Sequence, residues 1–570
     1  MQARHYFDKI SRWSVTLVGY GILLAFAFIF LFLIWQVWPL FQAGSISPVA
    51  SPDAEPEWHS LYQADTGQQA ELHLDNGLQE RVVLQRDGAI RWYLQQDESW
   101  QLQLREQLTM APLSDAVLLP GSRTLLLADG SAQVQSWFRL HQQLIARPGI
   151  SVSDTPLLAL IPVSSSSFFS LHPGLLQLHQ VDSARLLAEL RLPSDRLQHL
   201  QLSDDRQWLR LDWQSGTSNW YQIQWQHPSV SFTQLWLPVH YEGRREPAYV
   251  WQTAAAADDA SPKLSLVPLT IGTLKAAWYA MLFATPLAIL AAVYTACYLP
   301  ERWRYRVKAS MEMLESMPTV ILGFIAAFLL APWLEQQLLL FFMLLLLVPS
   351  LVLLSSAVWY CWRQQRQQQA EQPGWFVLLI PLLLAVWLTY IGTPWLEQWW
   401  FDGSLLLWLG ERGIDYQQRN ALIIGMAMGL AVIPSIFSLT EDVVSQVPPS
   451  LAQGVLALGA SRWQALSSMV LPVAAPGILA AVLLGLGRAL GETMILIMAT
   501  GNTPLLGFDP FTGMRSLTAS LSLEMPEAAV SSSHFKVLLL AALLLLVLTF
   551  FINTLVSVLR QRIRQRYQQL

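Results

Sequence analysis

Arg488 and Glu492 stand four residues apart in an otherwise apolar run, Gly485-Leu486-Gly487-Arg488-Ala489-Leu490-Gly491-Glu492-Thr493-Met494. On a continuous helix that spacing puts the guanidinium and the carboxylate on one face. The surrounding residues read as membrane interior, where a lone charge costs at least ~2.5–3.5 kcal/mol by insertion scales. Pairing lowers that cost, and the charged face must point to a cavity or to the bundle interior. Two chemistries fit: a working polar site inside the membrane, or a structural ion pair that only fixes helix packing. Gly485, Gly487 and Gly491 leave room for a neighbouring helix to come close.

A second informative stretch lies just before it. Glu441-Asp442 and Pro448-Pro449 lead into a Leu/Ala-rich segment, then Gly459-Ala460-Ser461-Arg462-Trp463, then Met469-Val470-Leu471-Pro472. A moderately apolar helix with a Gly break and a closing Leu-Pro predicts a short amphipathic element lying across the membrane face. Such an element can dock into a groove on a partner; the alternative is an ordinary loop between spans.

The elements that must position these residues follow from composition. The chain has 570 residues, 53% hydrophobic and 13% charged, which is too apolar for an ordinary soluble protein. At ~20 apolar residues per crossing, eight spans are expected, roughly 15–40, 267–298, 317–334, 338–362, 375–395, 419–439, 473–500 and 536–559. The pair 317–334 and 338–362 could instead form one re-entrant unit. Basic residues flank the spans on one side: Arg4, Lys9 and Arg12, then Arg302, Arg304, Arg306 and Lys308, then Arg363 and Arg366, then Arg560, Arg562, Arg564 and Arg566. The positive-inside rule therefore puts both termini in the cytoplasm, with Arg412 and Arg419 as outer exceptions. The first apolar run is too long for a cleaved signal and is expected to stay as an anchor.

The segment 42–264, then periplasmic, carries 24 of the 40 acidic residues against 15 basic ones, so the membrane part keeps a small positive excess. Its runs alternate, as in Ala89-Ile90-Arg91-Trp92-Tyr93-Leu94 and Trp220-Tyr221-Gln222-Ile223-Gln224-Trp225, and predict strands. The turn-like pairs Asp87-Gly88, Asp129-Gly130, Pro173-Gly174 and Ser215-Gly216 place glycines 42, 44 and 42 residues apart. That is the length of a four-stranded propeller blade, and a propeller-like domain is expected, with a β-sandwich as the alternative. Several chemistries are not indicated. No G-x-x-x-x-G-K-[ST] loop occurs, so no ATP hydrolysis is expected here. Cys297 and Cys361 end apolar runs, and His59, His73, His141 and His240 lack ligand spacing. No cofactor or metal is expected, and no basic face suggests nucleic acid.

The loop spacing resembles the EAA loop of ABC importer permeases, in which Glu-Ala-Ala, three residues, Gly, nine residues, Ile, one residue and Leu-Pro follow in order. Gly459, Met469, Leu471 and Pro472 fit, with Ala460 after the Gly; Gln453-Gly454-Val455 replaces the first triplet. Arg488-Ala489-Leu490-Gly491-Glu492-Thr493-Met494 is similar to the phosphate permeases of the PstC and PstA type, in the PstC wording. Gly272-Thr273-Leu274, Met317-Pro318-Thr319-Val320 and Gly501-Asn502-Thr503-Pro504 match as well.

The resemblance covers about 265–560. It implies a type I ABC importer permease: a membrane α-helical bundle of about eight spans, here with an all-β, propeller-like periplasmic insert. The expected division is an anchor at 1–41, the β domain at 42–264, core at 265–335, an added hairpin and outer loop at 336–417, and core at 418–570 with a coupling loop at 440–472. It further implies import of inorganic phosphate across a bacterial inner membrane by alternating access. Arg488, Glu492, Thr493 and Thr319 would then meet the substrate, and Gly459, Ala460, Met469, Leu471 and Pro472 would couple to the ATPase. Arg488 suits an oxyanion because its guanidinium is a planar donor fork, and Glu492 would orient it or accept from a protonated phosphate. The partners implied are an ATP-binding cassette ATPase dimer, a second permease of the PstA type and a periplasmic phosphate-binding protein. The competing expectations are a sulfate or molybdate permease and a membrane-anchored sensor or scaffold.

Overall fold

The computed structural model describes residues 2–568 apart from 50–56, 64–70, 77–79, 86–87, 97–98, 109–112, 129–132, 142, 154, 194–195, 225–226, 228–229, 254–261 and 366–375. Asp87, Asp129-Gly130, Trp225 and Arg366, and the side chains of Arg4, Lys9, His73, Arg363, Arg560, Arg564 and Arg566, lie outside the described residues. The chain divides into two compact units, 1–268 with 524–543, and 269–523 with 544–570.

The first unit opens with helix α1 (Gln2–Val37), whose Leu17, Leu24, Phe28 and Leu31 side chains are mostly exposed, as lipid-facing residues are. Strands β1 (Ser45–Val49) and β2 (Trp58–Gln63) follow, and then antiparallel sheets built in chain order. The first sheet is β3 (Glu71–Asp75), β4 (Glu80–Gln85), β5 (Ala89–Gln96) and β6 (Ser99–Gln107). The second is β7 (Asp115–Leu118), β8 (Thr124–Ala128), β9 (Gln133–Leu140) and β10 (Gln143–Ala146), with β11 (Ile150–Ser151) also on β9. The third is β12 (Ala159–Ser164), β13 (Ser167–His172), β14 (Leu175–Gln180) and β15 (Arg185–Arg191). The fourth takes β16 (Leu197–Ser203), β17 (Trp208–Trp213) and β18 (Ser218–Gln224) and adds the two early strands, in the order β1-β18-β17-β16-β2.

The glycine repeat has a structural meaning. Gly88, Gly174 and Gly216 each join the second and third strands of their own sheet before β1 and β2 are added, with φ of 87°, 75° and 85°. Only glycine adopts that region without a Cβ penalty. The second and third sheets also bury both faces. Leu125 and Leu127 of β8 pack with Val82, Trp92 and Leu104 of the first sheet. Leu126 and Ala128, pointing the other way, pack with Leu160 and Phe168 of the third. Phe169 and Leu178 in turn meet Leu200 and Leu211 of the fourth. Strands β8 and β13 are therefore buried along their whole length, which hides the alternation that a one-sided strand would show.

Polar groups trapped between these sheets are mostly paired. The Glu80 carboxylate, 1% exposed, accepts from Arg139 Nη2 at 2.6 Å and Trp92 Nε1 at 3.0 Å, and meets Arg123 Nε at 3.0 Å. The imidazoles of the third sheet are less satisfied. His179 Nε2 lies 3.1 Å from Ser170 Oγ, while His179 Nδ1 and His172 Nε2 have no hydrogen-bond partner among the described residues. Burial, and then the neighbouring His172, pushes the His179 pKa down to about 4. An unfolded chain takes up this proton near pH 6.5 and the folded one only near pH 4. The folded state is therefore favoured fully above about pH 6.5 and loses that advantage as pH falls towards 4, by about 3 kcal/mol in all. Thermal unfolding of the full chain across that window should show the loss, and His179→Gln should flatten it.

After the sheets come α2 (Phe232–Trp236), β19 (Trp251–Gln252) and β20 (Lys263–Leu264). Trp251 Nε1 donates to Glu524 at 3.0 Å, and His534 reaches the same carboxylate at 2.7 Å.

The helical elements continue with α3 (Val267–Cys297), α4 (Glu301–Glu315), α5 (Thr319–Ile325), a π-helical turn (Ala326–Leu330) and α6 (Ala331–Gln336). Next come α7 (Leu338–Gln365), α8 (Phe376–Trp400), α9 (Leu405–Glu411), α10 (Ala421–Ser445), α11 (Pro449–Ala457), α12 (Arg462–Ala465) and a second π-helical turn (Leu466–Val470). Then follow α13 (Leu471–Gly491), α14 (Met494–Ala499), α15 (Leu517–Glu524) and α16 (Ser533–Gln568). Among the described residues, eight helical stretches are long and apolar enough to cross a membrane, the number expected. The third ends at Gln336 and the fourth starts at Leu338, with only Gln337 between them.

Helix α10 is the core of the second unit. Gly425 and Gly429 bring its backbone against Tyr279, Ala280 and Phe283 of α3; a Cβ on Gly425 would stand 2.8 Å from Tyr279 Cβ. The facing side of α3 is a row of alanines, Ala276, Ala280, Ala284, Ala288 and Ala292, all buried. Without a hydrophobic drive between helices in lipid, such small residues supply the contact area. Gly485 does the same for α13, since its Cβ would meet Ile436 at 2.6 Å. Gly487 has only an ordinary contact to Asn553, and Gly491 has nothing within 4 Å. Of those three glycines, then, one sits at a close helix crossing.

Candidate transport site and coupling loop

Arg488 does not pair with Glu492. Helix α13 ends at Gly491, and Glu492 takes an extended backbone (φ −69°, ψ 130°), so the two side chains do not share a helix face. The local cause is visible in sequence: Gly491 weakens the helix just where Thr493, which has low helix propensity, follows. Arg488 Nη1 instead meets Glu315 Oε1 at 2.5 Å and donates to Ser435 Oγ at 2.5 Å. Ser435 Oγ in turn donates to Glu315 Oε1 at 2.8 Å. Three elements thus converge: the end of α4, the middle of α10 next to Pro434, and the last turn of α13. The pair is only partly buried, with side chains 34% and 39% exposed.

The other expected substrate residues lie near helix ends. Thr319 opens α5 after Pro318. Thr493 precedes α14, and its hydroxyl donates to the Gly491 carbonyl at 3.3 Å. Helices α5 and α14 pack through Gly323, whose Cβ would stand 3.1 Å from Ile495 Cα. Neither threonine hydrogen-bonds Arg488. Among the described residues the Glu492 carboxylate has no hydrogen bond or ion pair, whereas its backbone carbonyl accepts from Thr518 Oγ1 at 3.1 Å.

Two partners of Arg488, Glu315 and Ser435, were not singled out from sequence. The available signal was indirect: an arginine inside the bundle must be compensated, and Glu315 closes a polar helix just before the Met317-Pro318 break.

Helix α4 carries a second charge cluster. Glu441 of α10 is fully buried and meets Arg304 Nε at 2.5 Å and Lys308 Nζ at 3.4 Å; Lys308 also meets Asp442 at 2.5 Å. The hydrogen bond to Asp442, above all, holds the Lys308 ammonium above its ordinary pKa. A buried carboxylate requires such partners.

The loop after α10 folds as two helices with a break. Ala460 N–H bonds the Val455 carbonyl and Gly459 N–H the Leu456 carbonyl, which closes α11 in the Schellman manner. Gly459 holds φ at 88°. Ser461 then caps α12, and Gln464 completes a reciprocal capping box. Met469 sits in the π-helical turn, and Leu471-Pro472 opens α13. Leu458 and Trp463 are 89% and 65% exposed, so an apolar face stands open at the break. Beside it is a cleft of about 410 Å³, lined by Cys297, Tyr298, Arg304, Pro448, Leu456 and Arg462 among others.

Residues 319–565 match the model of the binding-protein-dependent transport system inner membrane component family. Over that span the chain resembles the family. The resemblance supports a transporter component of the PstC type. The phosphate transport system permease protein PstC 1 of Mycobacterium bovis is 27% identical over 292 residues, half of this chain and 69% of that protein. The PstC protein of Haemophilus influenzae is 25% identical over 307 residues, 54% of this chain and 77% of that protein. A PstA protein of Mycobacterium leprae is 33% identical, but over only 126 residues, 22% of this chain. The matched span holds Ser435, Arg488, Glu492, Thr493 and the whole α11–α12 loop, while Glu315 lies just ahead of it.

Proposed function

We propose that this chain is the membrane-spanning subunit of an ATP-driven importer that carries inorganic phosphate from periplasm to cytoplasm by alternating access. The observation that carries the reading is Arg488: a guanidinium inside the helical bundle, only partly buried, next to a break in the helix that bears it. Its planar fork suits a tetrahedral oxyanion. Glu492, Thr493 and Thr319 complete the proposed set, with Glu492 free to accept from a protonated phosphate oxygen. The names of the relatives favour phosphate over other oxyanions.

Energy would come from a separate ATP-binding cassette ATPase dimer seated on the α11–α12 loop, with Gly459, Ala460, Met469, Leu471 and Pro472 shaping the contact. A PstA-type permease would complete the pathway, and a periplasmic phosphate-binding protein would deliver the substrate. In this reading both termini are cytoplasmic and 42–264 is periplasmic in a bacterial inner membrane. Residues 336–417 form an added hairpin with its outer loop, between core segments 265–335 and 418–570. We read the sheets of 42–264 as a propeller-like domain. Its support is that β3 packs beside β7, β7 beside β12 and β12 beside β2, while β1 and β2 complete the last sheet.

The test is ATP-dependent uptake of labelled phosphate into vesicles holding this chain and its partners, with sulfate and molybdate as competitors. Competition by phosphate alone supports the reading, and competition by sulfate or molybdate replaces the substrate. The coupling loop has its own prediction. Gly459→Ala forces a Cβ into the left-handed region at a cost of about 1 kcal/mol or more. Co-purification of the ATPase should fall several-fold while the chain still folds.

A further inference from the structure

We infer that Glu315 is the internal anion of the unloaded transport site, and that arrival of the substrate oxyanion displaces it and signals along α4 to the coupling cleft. The inference rests on the reading of Arg488 as the phosphate donor.

Glu315 occupies the guanidinium in the way a small oxyanion would. Its Oε1 meets Arg488 Nη1 at 2.5 Å and accepts from Ser435 Oγ at 2.8 Å. Both contacts converge on one carboxylate oxygen, and among the described residues only Nη1 of Arg488 is engaged. The rest of the fork remains for a second acceptor. An incoming phosphate carries one or two negative charges, and two anions on one guanidinium repel. The fixed carboxylate must then give way, and Glu315 is partly exposed and ends its helix, so it can.

What it gives way to is set by α4. This is a single 15-residue helix with one grip at each end. Glu315 closes it at the transport site. Near its start Arg304 and Lys308 hold Glu441 and Asp442 of α10. Arg304 also lines the cleft beside α11. Release of one end of a rigid helix changes the balance at the other, so the charge state of the site reaches the ATPase-facing loop through one element. Glu315 is a positioning residue in this scheme: it acts on the substrate through Arg488.

The experiment uses the full complex in detergent and in proteoliposomes, with inorganic phosphate as the probe. Glu315→Gln removes the competing charge and keeps the shape. Equilibrium binding of labelled phosphate to the complex without binding protein should tighten about tenfold. ATP hydrolysis in the absence of phosphate should rise towards its stimulated rate. Glu315→Asp should restore both to near the parent values, which loss of a packing contact would not predict. Ser435→Ala, which loosens Glu315 without touching charge, should shift both in the same direction by a smaller amount. Weaker phosphate binding in Glu315→Gln, or unchanged binding and unchanged basal hydrolysis in both variants, overturns the inference. Arg488→Gln separates the two readings: if it leaves phosphate binding and uptake intact, the phosphate site itself is wrong, whatever Glu315 does.

Discussion

Arg488→Gln should lower phosphate uptake by about two to three orders of magnitude and leave the protein folded. Hydrogen bonds to a charged group contribute about 1.5–3 kcal/mol each. Losing two of them to the oxyanion, each near the lower end of that range, costs about 3–4 kcal/mol in the loaded or transition state, or about 150–1,000-fold in rate. The stability effect is smaller. The Arg488–Glu315 pair is more than a third exposed on the Glu315 side, so solvent screens the carboxylate left behind. The variant should therefore keep its melting temperature within a few degrees. Arg488→Lys keeps the charge but loses the fork and should retain intermediate uptake. Equal, near-normal uptake in Gln and Lys variants would remove Arg488 from the pathway.

Gly272→Ala should be the most destabilising single methyl in the helical unit. A Cβ there would stand 2.1 Å from the Arg515 carbonyl oxygen, 2.9 Å from its carbon and 3.3 Å from its nitrogen. These are backbone atoms, which cannot swing aside as a side chain can. The neighbouring Thr273 locks the same contact: its hydroxyl donates to Leu269 O at 2.8 Å and accepts from Leu517 N at 3.0 Å. Overpacking typically costs 1–3 kcal/mol, and a backbone clash belongs at about the upper end or beyond. Thermal unfolding in detergent should drop by several degrees, with a loss of yield. Gly491→Ala is the control, because nothing lies within 4 Å of that position. A melting temperature unchanged in Gly272→Ala would mean that α3 does not approach the Arg515 backbone so closely.

These two predictions differ in how far sequence alone leads to them. Gly272-Thr273 stood out as a motif, but its role as a backbone contact and a cap for Leu517 required the partner segment. Arg488 stood out by type and setting. Its partner was misread because the i, i+4 argument assumes a helix that continues, and α13 stops at Gly491. The close approach of α3 and α10 was missed for a related reason. Ala276, Ala280, Ala284, Ala288 and Ala292 vanish into an apolar run until α10 brings Gly425 and Gly429 against them.

The sequence by itself determined the features that depend on near neighbours or on solvent. Eight apolar stretches follow from the length a bilayer demands. The strand-rich character of 42–264 follows from alternation, and the repeat from glycines that only a left-handed turn requires. The break at Gly459 and the cap at Ser461 are equally local, because a helix end is satisfied by residues within one turn. Tertiary structure decided whatever depends on residues distant in the chain. Glu315 and Arg488 are 173 positions apart, and Arg304 and Glu441 are 137. An ion pair is set by where two helices cross, and no spacing along one helix encodes that crossing. Burial of β8 and β13 on both faces was likewise decided by the sheets that stack on them, since a strand's own pattern records only that its residues are apolar.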